Sequence, residues 1–299
     1  MKRRLSALLA VVLILTAVPT ALAAGGNEDQ LPSDAAIILT GDASGDNEIL
    51  ASVDSVYIDG QECPVKTEDG KFHVTMPDAN ATVMTAYIYN DPDAEDIHTQ
   101  YPTGMKVWIL EFREDGYHAT YVPEFDNLLQ YSGSSIRIKG VKGIRMITSI
   151  DKAAKSALTG KGLAGYKLLE YGTLLAQTSK MNGGPLVLGM DYAKSNFAYK
   201  KGVADPVFAT TAKTIQYTNV LVGFNNEQCK EDIAMRPYMI LEDAQGNQFT
   251  LYGGVIYRSI GYIAWQNRTV FKPKTASYNY VWEIIHYVYG DQFDADYKG

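Results

Sequence analysis

The sequence predicts an α+β, mostly β protein in which an N-terminal immunoglobulin-like β-sandwich is followed by a mixed β-sheet domain with peripheral helices. Three observations predict it. From residue 35 to about 131, short β-branched and aromatic runs alternate with turn residues. Beyond Gly133, strand-like runs mix with segments of helical period. Nothing recurs at a fixed spacing, which excludes solenoids and propellers, and hairpin-connected strands with outlying helices argue against a doubly wound sheet.

Along the chain, Met1–Arg4 is basic, Leu5–Val18 is apolar except for Ser6 and Thr16, and Ala21-Leu22-Ala23 supplies small residues for cleavage. These are the three regions of a signal peptide over 1–23, cut before Ala24. The apolar run of 14 residues is shorter than the roughly 18 that span a bilayer, so no membrane insertion is expected after cleavage. Residues 24–34 are small and polar and read as a flexible lead-in.

The β-sandwich is expected over 35–132, with strands at Ala36–Thr40, Ala51–Ile58, Lys71–Thr75, Thr82–Tyr89, Met105–Phe112 and Tyr117–Val122. Asp59-Gly60, Asp69-Gly70 and Asp115-Gly116 separate such runs, and glycine accepts the positive φ that hairpin turns need. The α+β domain is expected over 133–299. Its strands are Ile136–Lys139, Gly143–Ile150, Tyr166–Ala176, Thr214–Phe224, Ala234–Leu241 and Gln248–Tyr252, with a helix at Asp151–Leu158. Ile256, Ile260, Ile263 and Ala264 fall on one helical face. Tyr278, Val281, Trp282, Ile285, Val288 and Tyr289 form the stripe of a last helix, capped by Thr275 or Ser277 and ended by Gly290.

The chain carries 27 Lys+Arg against 34 Asp+Glu, a net charge of −7; without Lys2, Arg3 and Arg4 it is 24 against 34, or −10. An acidic chain of this kind has no basic footprint for nucleic acid. The two cysteines, Cys63 and Cys229, permit one disulfide but no framework, and their settings favour free thiols.

Ser135–Ile138, Gly143–Met146, Leu169-Glu170-Tyr171-Gly172-Thr173-Leu174, Tyr217–Val222, Met235-Arg236-Pro237-Tyr238 and Leu251–Ile260 follow in this order, led by Tyr101–Trp108. Together these segments resemble a family of uncharacterised secreted or cell-surface proteins of anaerobic, gut-type Gram-positive bacteria. The resemblance covers most of Tyr101–Gly299 and implies export and life at the cell surface. It implies no reaction.

The candidate site is a set of charges within apolar strands: Arg145, Glu170, Arg236 and Arg258. An unpaired buried charge is too costly to keep, so Glu170, flanked by Leu168 and Leu174, is expected to be buried and paired with one of the three arginines. Such a group is either a structural network or a carboxylate and guanidinium site for an anionic or sugar ligand. The second signal is tyrosine, 21 residues against 9 Phe and 3 Trp, with pairs at Tyr87/Tyr89, Tyr278/Tyr280 and Tyr287/Tyr289. These rings serve either as half-buried strand residues or as stacking platforms for sugars.

Asp42–Glu48 alternates oxygen ligands like a calcium loop, but Asn47 stands where the loop requires glycine and Val53 where it requires glutamate. No zinc helix, nucleophile elbow or phosphate loop occurs, and His73, His98, His118 and His286 are scattered; Cys229 with His286 is the residual nucleophile pairing. No cofactor is called for, and nothing sets the oligomeric state. The expected function is a non-enzymatic secreted or cell-surface module binding glycan or another surface partner such as a cell-surface protein. The alternatives are a polysaccharide-active hydrolase using a carboxylate pair and a purely structural surface protein.

Overall fold

A computed structural model of the protein describes residues 37–297 apart from 41–48, 51, 69–70, 75–79, 115 and 203–206. The expected signal peptide, the lead-in and the Asp42–Glu48 loop lie outside the described residues. The chain is mostly β, in several antiparallel sheets.

The first strands are β1 (Ile37–Thr40), β2 (Ser55–Ile58), β3 (Gln61–Cys63), β4 (Val65–Glu68), β5 (Lys71–Val74), β6 (Val83–Tyr89), β7 (Pro102–Arg113) and β8 (Gly116–Tyr121). Six of them form one sheet in the order β1-β8-β7-β6-β2-β3, and β4 and β5 form a separate hairpin. Strand β1 runs parallel to β8, whereas the other neighbours in the sheet are antiparallel. The β2–β3 hairpin closes on Asp59-Gly60, with φ of +46° and +83°. Two successive positive φ values define the primed turn that matches the twist of paired strands.

Alternation along β6 and β7 feeds two cores. Val83, Tyr87, Met105 and Val107 enter one, while Met84, Ala86, Trp108 and Leu110 enter another with Ile58, Cys63 and Val74. Strand β7 thus buries Met105 and Val107 on one face and Trp108 and Leu110 on the other, while Thr103 and Glu111–Arg113 are exposed.

The second half contains β9 (Gln130–Ile136), β10 (Gly143–Asp151), helix α1 (Lys152–Thr159), β11 (Lys167–Gln177), β12 (Lys194–Lys200), β13 (Ala209–Thr210), β14 (Thr214–Val222), β15 (Ile233–Glu242), β16 (Gln248–Tyr252), β17 (Ile256–Arg258), α2 (Ile260–Gln266) and α3 (Ala276–Tyr289). One sheet runs β13-β14-β10-β9. The other runs β12-β11-β15-β16, with β17 also on β15. Asp151 caps α1 by accepting from Ala154 N (2.8 Å), and Thr275 caps α3 by accepting from Tyr278 N (3.2 Å). Gly290 ends α3 at φ +66° and ψ −156°.

Strands β3, β4, β12 and β13 form where the pattern assigns none, and two assigned elements fall differently. The strand expected at Ile136–Lys139 occupies Gln130–Ile136 instead. Its ladder with β10 ends at Ile136↔Ile144, after which the chain turns through Gly140 (φ +74°). Gly133, Ser134 and Ser135 are thus extended by pairing with β10, against weak strand propensity, and Ser132 is skipped at a register shift. Ile256 and Arg258 are not helical either. They pair with Met235 and Ile233 as β17, and the helix begins after Ser259, whose Oγ accepts from Tyr262 N (3.0 Å). Ile256 enters the same core as Ile260 and Ile263 from a strand, so a periodic apolar pattern found the core but not the element.

Residues on both sides of Gly133 share a core: Val83, Tyr87, Met105 and Val107 pack with Tyr171, Tyr217, Met239 and Leu251. A second core joins β10, β11 and β15 to α2 and α3 through Ile144, Leu175, Met235, Ile263, Trp282 and Ile285. No helix among the described residues is long and apolar enough to cross a membrane.

Candidate functional site

Strand β15 alternates about its plane, so Met235, Met239 and Leu241 face the inner cores while Ala234, Arg236 and Tyr238 face the other side. Arg236 is fully buried there. Its Nε donates to Gly253 O (2.8 Å), its Nη1 to Gly60 O (2.5 Å) and Leu186 O (3.4 Å), and its Nη2 reaches Tyr87 Oη at 3.5 Å. The guanidinium lies 5.1 Å from the Tyr57 ring centre and 4.8 Å from that of Tyr252. Among the described residues no carboxylate pairs with it. Backbone carbonyls and two ring faces compensate the charge, a combination suited to a planar, weakly hydrated cation.

Local chemistry places these partners. Asp59 accepts from Thr82 N (3.0 Å), Thr82 Oγ1 (2.7 Å) and Val83 N (3.0 Å), which fixes the β2–β3 turn on β6 and presents Gly60 O to Arg236. A Cβ at Gly60 would lie 2.7 Å from both Tyr252 and Val187, so glycine is required for packing as well as for φ. Tyr87 donates to Tyr252 O (2.8 Å), and Leu188 N donates to Tyr252 Oη (3.0 Å).

Beside this centre lies a cleft of about 330 Å³, lined by Tyr57, Gln61, Glu62, Leu186, Arg236 and Tyr257 among others. Burial pushes the Tyr57 hydroxyl well above the ordinary phenol range, reinforced by Tyr89 and Glu62 and opposed by Arg236. Burial also raises Tyr257, with Arg236 opposing and Glu62 reinforcing. The phenols are therefore neutral hydroxyls throughout the physiological range, able to donate and accept hydrogen bonds but not to act as phenolate nucleophiles. Tyr57 meets Tyr87 edge-on at 5.1 Å, and Tyr87 meets Tyr89 at 6.4 Å.

The four charges picked out from the sequence do not converge. Glu170 is mostly buried, its side chain 15% exposed, but its ion pair is with Lys200 (3.4 Å) and its hydrogen bond comes from Tyr238 Oη (2.6 Å). The expectation of an arginine partner is corrected by the strand register. Glu170 pairs with Ile240 and Arg236 with Leu174, a separation of four residues or about 13 Å along the strand. A bulge between Leu168 and Glu170 also puts these two on opposite faces, so Glu170 shares its face with Leu174 but not with Leu168.

Arg258 is buried at the end of β17, where Nη1 donates to Tyr257 O (2.7 Å) and Gln100 O (3.2 Å) and the guanidinium lies 5.4 Å from the Tyr131 ring centre. Arg145 is on another sheet. Its guanidinium lies over Phe208 (5.4 Å), and its buried Nε has no hydrogen-bond partner among the described residues.

Of the tyrosine pairs, Tyr87/Tyr89 joins the Arg236 centre, whereas Tyr278 is buried in the helical core. Tyr57, Tyr252 and Tyr257 were not singled out by spacing. The signal available was the tyrosine in the run ending at Asp59-Gly60, but the Gly60 and Arg236 partners lie 176 residues apart. Both cysteines are free and buried. Burial raises the Cys229 thiol, which donates to Asn225 O (3.3 Å), while the His286 ring packs on Trp282 and Tyr297. Among the described residues no group of three or more His, Cys, Asp and Glu is placed to hold a metal ion. Comparison with protein-family models, with curated proteins and with solved structures finds no match.

Proposed function

We propose that this protein is a non-enzymatic secreted or cell-surface module that binds a sugar, or a sugar-bearing surface partner, in the cleft between Tyr57 and Tyr257. The observation that carries the proposal is the composition of that cleft: tyrosine rings with neutral hydroxyls, Gln61 and Glu62 as polar groups, and a rigidly held guanidinium. Sugars present an apolar face that stacks on aromatic rings and a rim of hydroxyls that needs mixed donors and acceptors, and a few fixed polar groups in a concave site set orientation. Glu62 is the carboxylate among the described lining residues, whereas hydrolysis of a glycosidic bond ordinarily uses two.

In the same reading residues 1–23 direct export, the chain belongs with the gut-type surface proteins it resembles, and the six-stranded sheet with its hairpin serves as an immunoglobulin-like display module. The acidic surface leaves nucleic acid outside its partners.

A glycan array run on residues 24–299, followed by titration of the best ligand, tests the proposal. Binding should weaken at least about tenfold in Tyr257→Ala and be largely kept in Tyr257→Phe, because the ring supplies the stacking. Turnover of any bound polysaccharide, or binding indifferent to Tyr257→Ala, would overturn it.

A further inference from the structure

His98 lies in the one-turn helix Ile97–Thr99, within the connection from β6 to β7. Both of its ring nitrogens meet carboxylates: Nδ1 is 2.6 Å from Asp96 Oδ1, and Nε2 is 2.6 Å from Asp232 Oδ1. The ring stacks on Tyr262 of α2 at 4.8 Å and 18°. A neutral imidazole has one N–H and one lone pair, so one of the two carboxylates would face a lone pair at contact distance. The imidazolium donates to both.

We propose that the 90–101 connection is a pH-operated clasp, in which protonated His98 ties it to Asp232 and Tyr262 and loss of the proton releases the His98 turn. This inference is independent of the sugar-binding reading. Two strong charge-assisted hydrogen bonds hang on a single proton, and the partners come from separate parts of the chain, 134 residues apart. The other groups facing the ring are accounted for. Arg258 of β17 lies 5.7 Å from the Tyr262 ring centre and donates to Gln100 O; Tyr262 presents its ring face; and Tyr289 of α3 is within electrostatic reach of Asp96 and Asp232. Arg258 disfavours a second positive charge nearby, but the two carboxylates are bonded to the imidazole directly.

The anchors at the ends of the connection do not titrate with His98. Asn90 accepts from Tyr101 N (2.7 Å) and donates to Thr99 O (3.2 Å), and Gln100 donates to Pro92 O (2.7 Å). Release therefore frees the middle of the segment and leaves its roots in place.

The electrostatic balance runs the same way. The hydrogen bond to Asp232 raises the His98 pKa, burial opposes this, and Asp96 adds to it. Asp96 is lowered: burial acts against the shift, and the bonds from His98 outweigh it. For a group raised on folding, the stabilisation is complete below the unfolded value of about 6.5 and is lost as pH rises through the folded value. For Asp96 it is present above the ordinary carboxylate range and lost as pH falls through the lowered folded value. The clasp is closed between these limits.

The test follows the His98 ring by NMR in the full chain from pH 4 to 9, together with hydrogen exchange of the His98 and Thr99 amides, which donate to Asp96, corrected for intrinsic pH dependence. A ring titration centred above about 6.5, with protection of these amides falling at least about tenfold across it, is the expected result. In Asp232→Asn the ring should titrate lower, and the protection step should move with it. A wild-type midpoint at or below the ordinary value, protection that does not change across the midpoint, or a step that stays in place in Asp232→Asn would each overturn the proposal.

Discussion

At the scale of single residues, Arg236 is the most constrained charge in the described chain. Three backbone carbonyls from three separate segments end on its guanidinium, so any replacement strands several acceptors in a buried place. Arg236→Met should cost about 3 kcal/mol in chemical denaturation, since each abandoned buried polar group costs about 1–3 kcal/mol. Arg236→Lys should still cost more than about 1 kcal/mol, because an ammonium has neither the planar fork nor the stacking face. Glu170 should behave differently. Glu170→Gln keeps an oxygen for the Tyr238 hydroxyl and loses the pairing with Lys200, whose side chain is 60% exposed, so the change should stay within about 1 kcal/mol. A loss of several kcal/mol in that variant would indicate a partner for Glu170 other than Lys200 and Tyr238.

Among the elements, the edge where β12 meets β11 sets the tightest steric limit. Gly172 sits at an irregularity in the register, and a Cβ there would come within 2.3 Å of Asn196 O. Backbone cannot withdraw as a flexible side chain can, so Gly172→Ala should destabilise by about 2–3 kcal/mol and raise exchange of the β12 amides before those of β15. Opposite this edge, Asn219 donates to Asn196 O (2.7 Å) and Thr173 donates to Asn219 Oδ1 (2.8 Å), so side chains of β14 and β11 and a backbone carbonyl of β12 join the two sheets. Uniform loss of protection across all strands in Gly172→Ala would mean that β12 unfolds only with the whole.

For the whole molecule, the shared core around Tyr87, Tyr171 and Tyr217 decides how the halves depend on each other. Expressed alone, residues 132–299 would expose the faces of Tyr171, Met239 and Leu251 that Val83, Met105 and Val107 cover. Burial of apolar surface is the main favourable term in folding, at about 25 cal/mol per Å². The fragment should therefore lack a cooperative melting transition and bind a hydrophobic dye, while the chain carrying both halves melts in one step. A fragment that melts cooperatively on its own would establish Gly133 as the border of an independent domain.

Reading the sequence alone determined the mostly β class, the Asp59-Gly60 turn, the helix near Asp151–Leu158 and the last helix with its cap narrowed to Thr275 or Ser277 and its end at Gly290. Each of these follows from interactions within a few residues: turn conformation, capping, and the period of apolar side chains. It also marked Arg236 and Glu170 as charges needing partners, because the cost of burying a charge is legible from its neighbours. Which partners they found was decided by tertiary structure. A one-residue bulge after Leu168 and a four-residue offset between Glu170 and Arg236 separate two side chains that composition alone would pair. Strand β9 is extended by its pairing with β10, and the donors of Arg236 are satisfied by carbonyls contributed from distant parts of the chain. Register and long-range contact depend on which faces meet in the core, and no local stretch of residues contains that information.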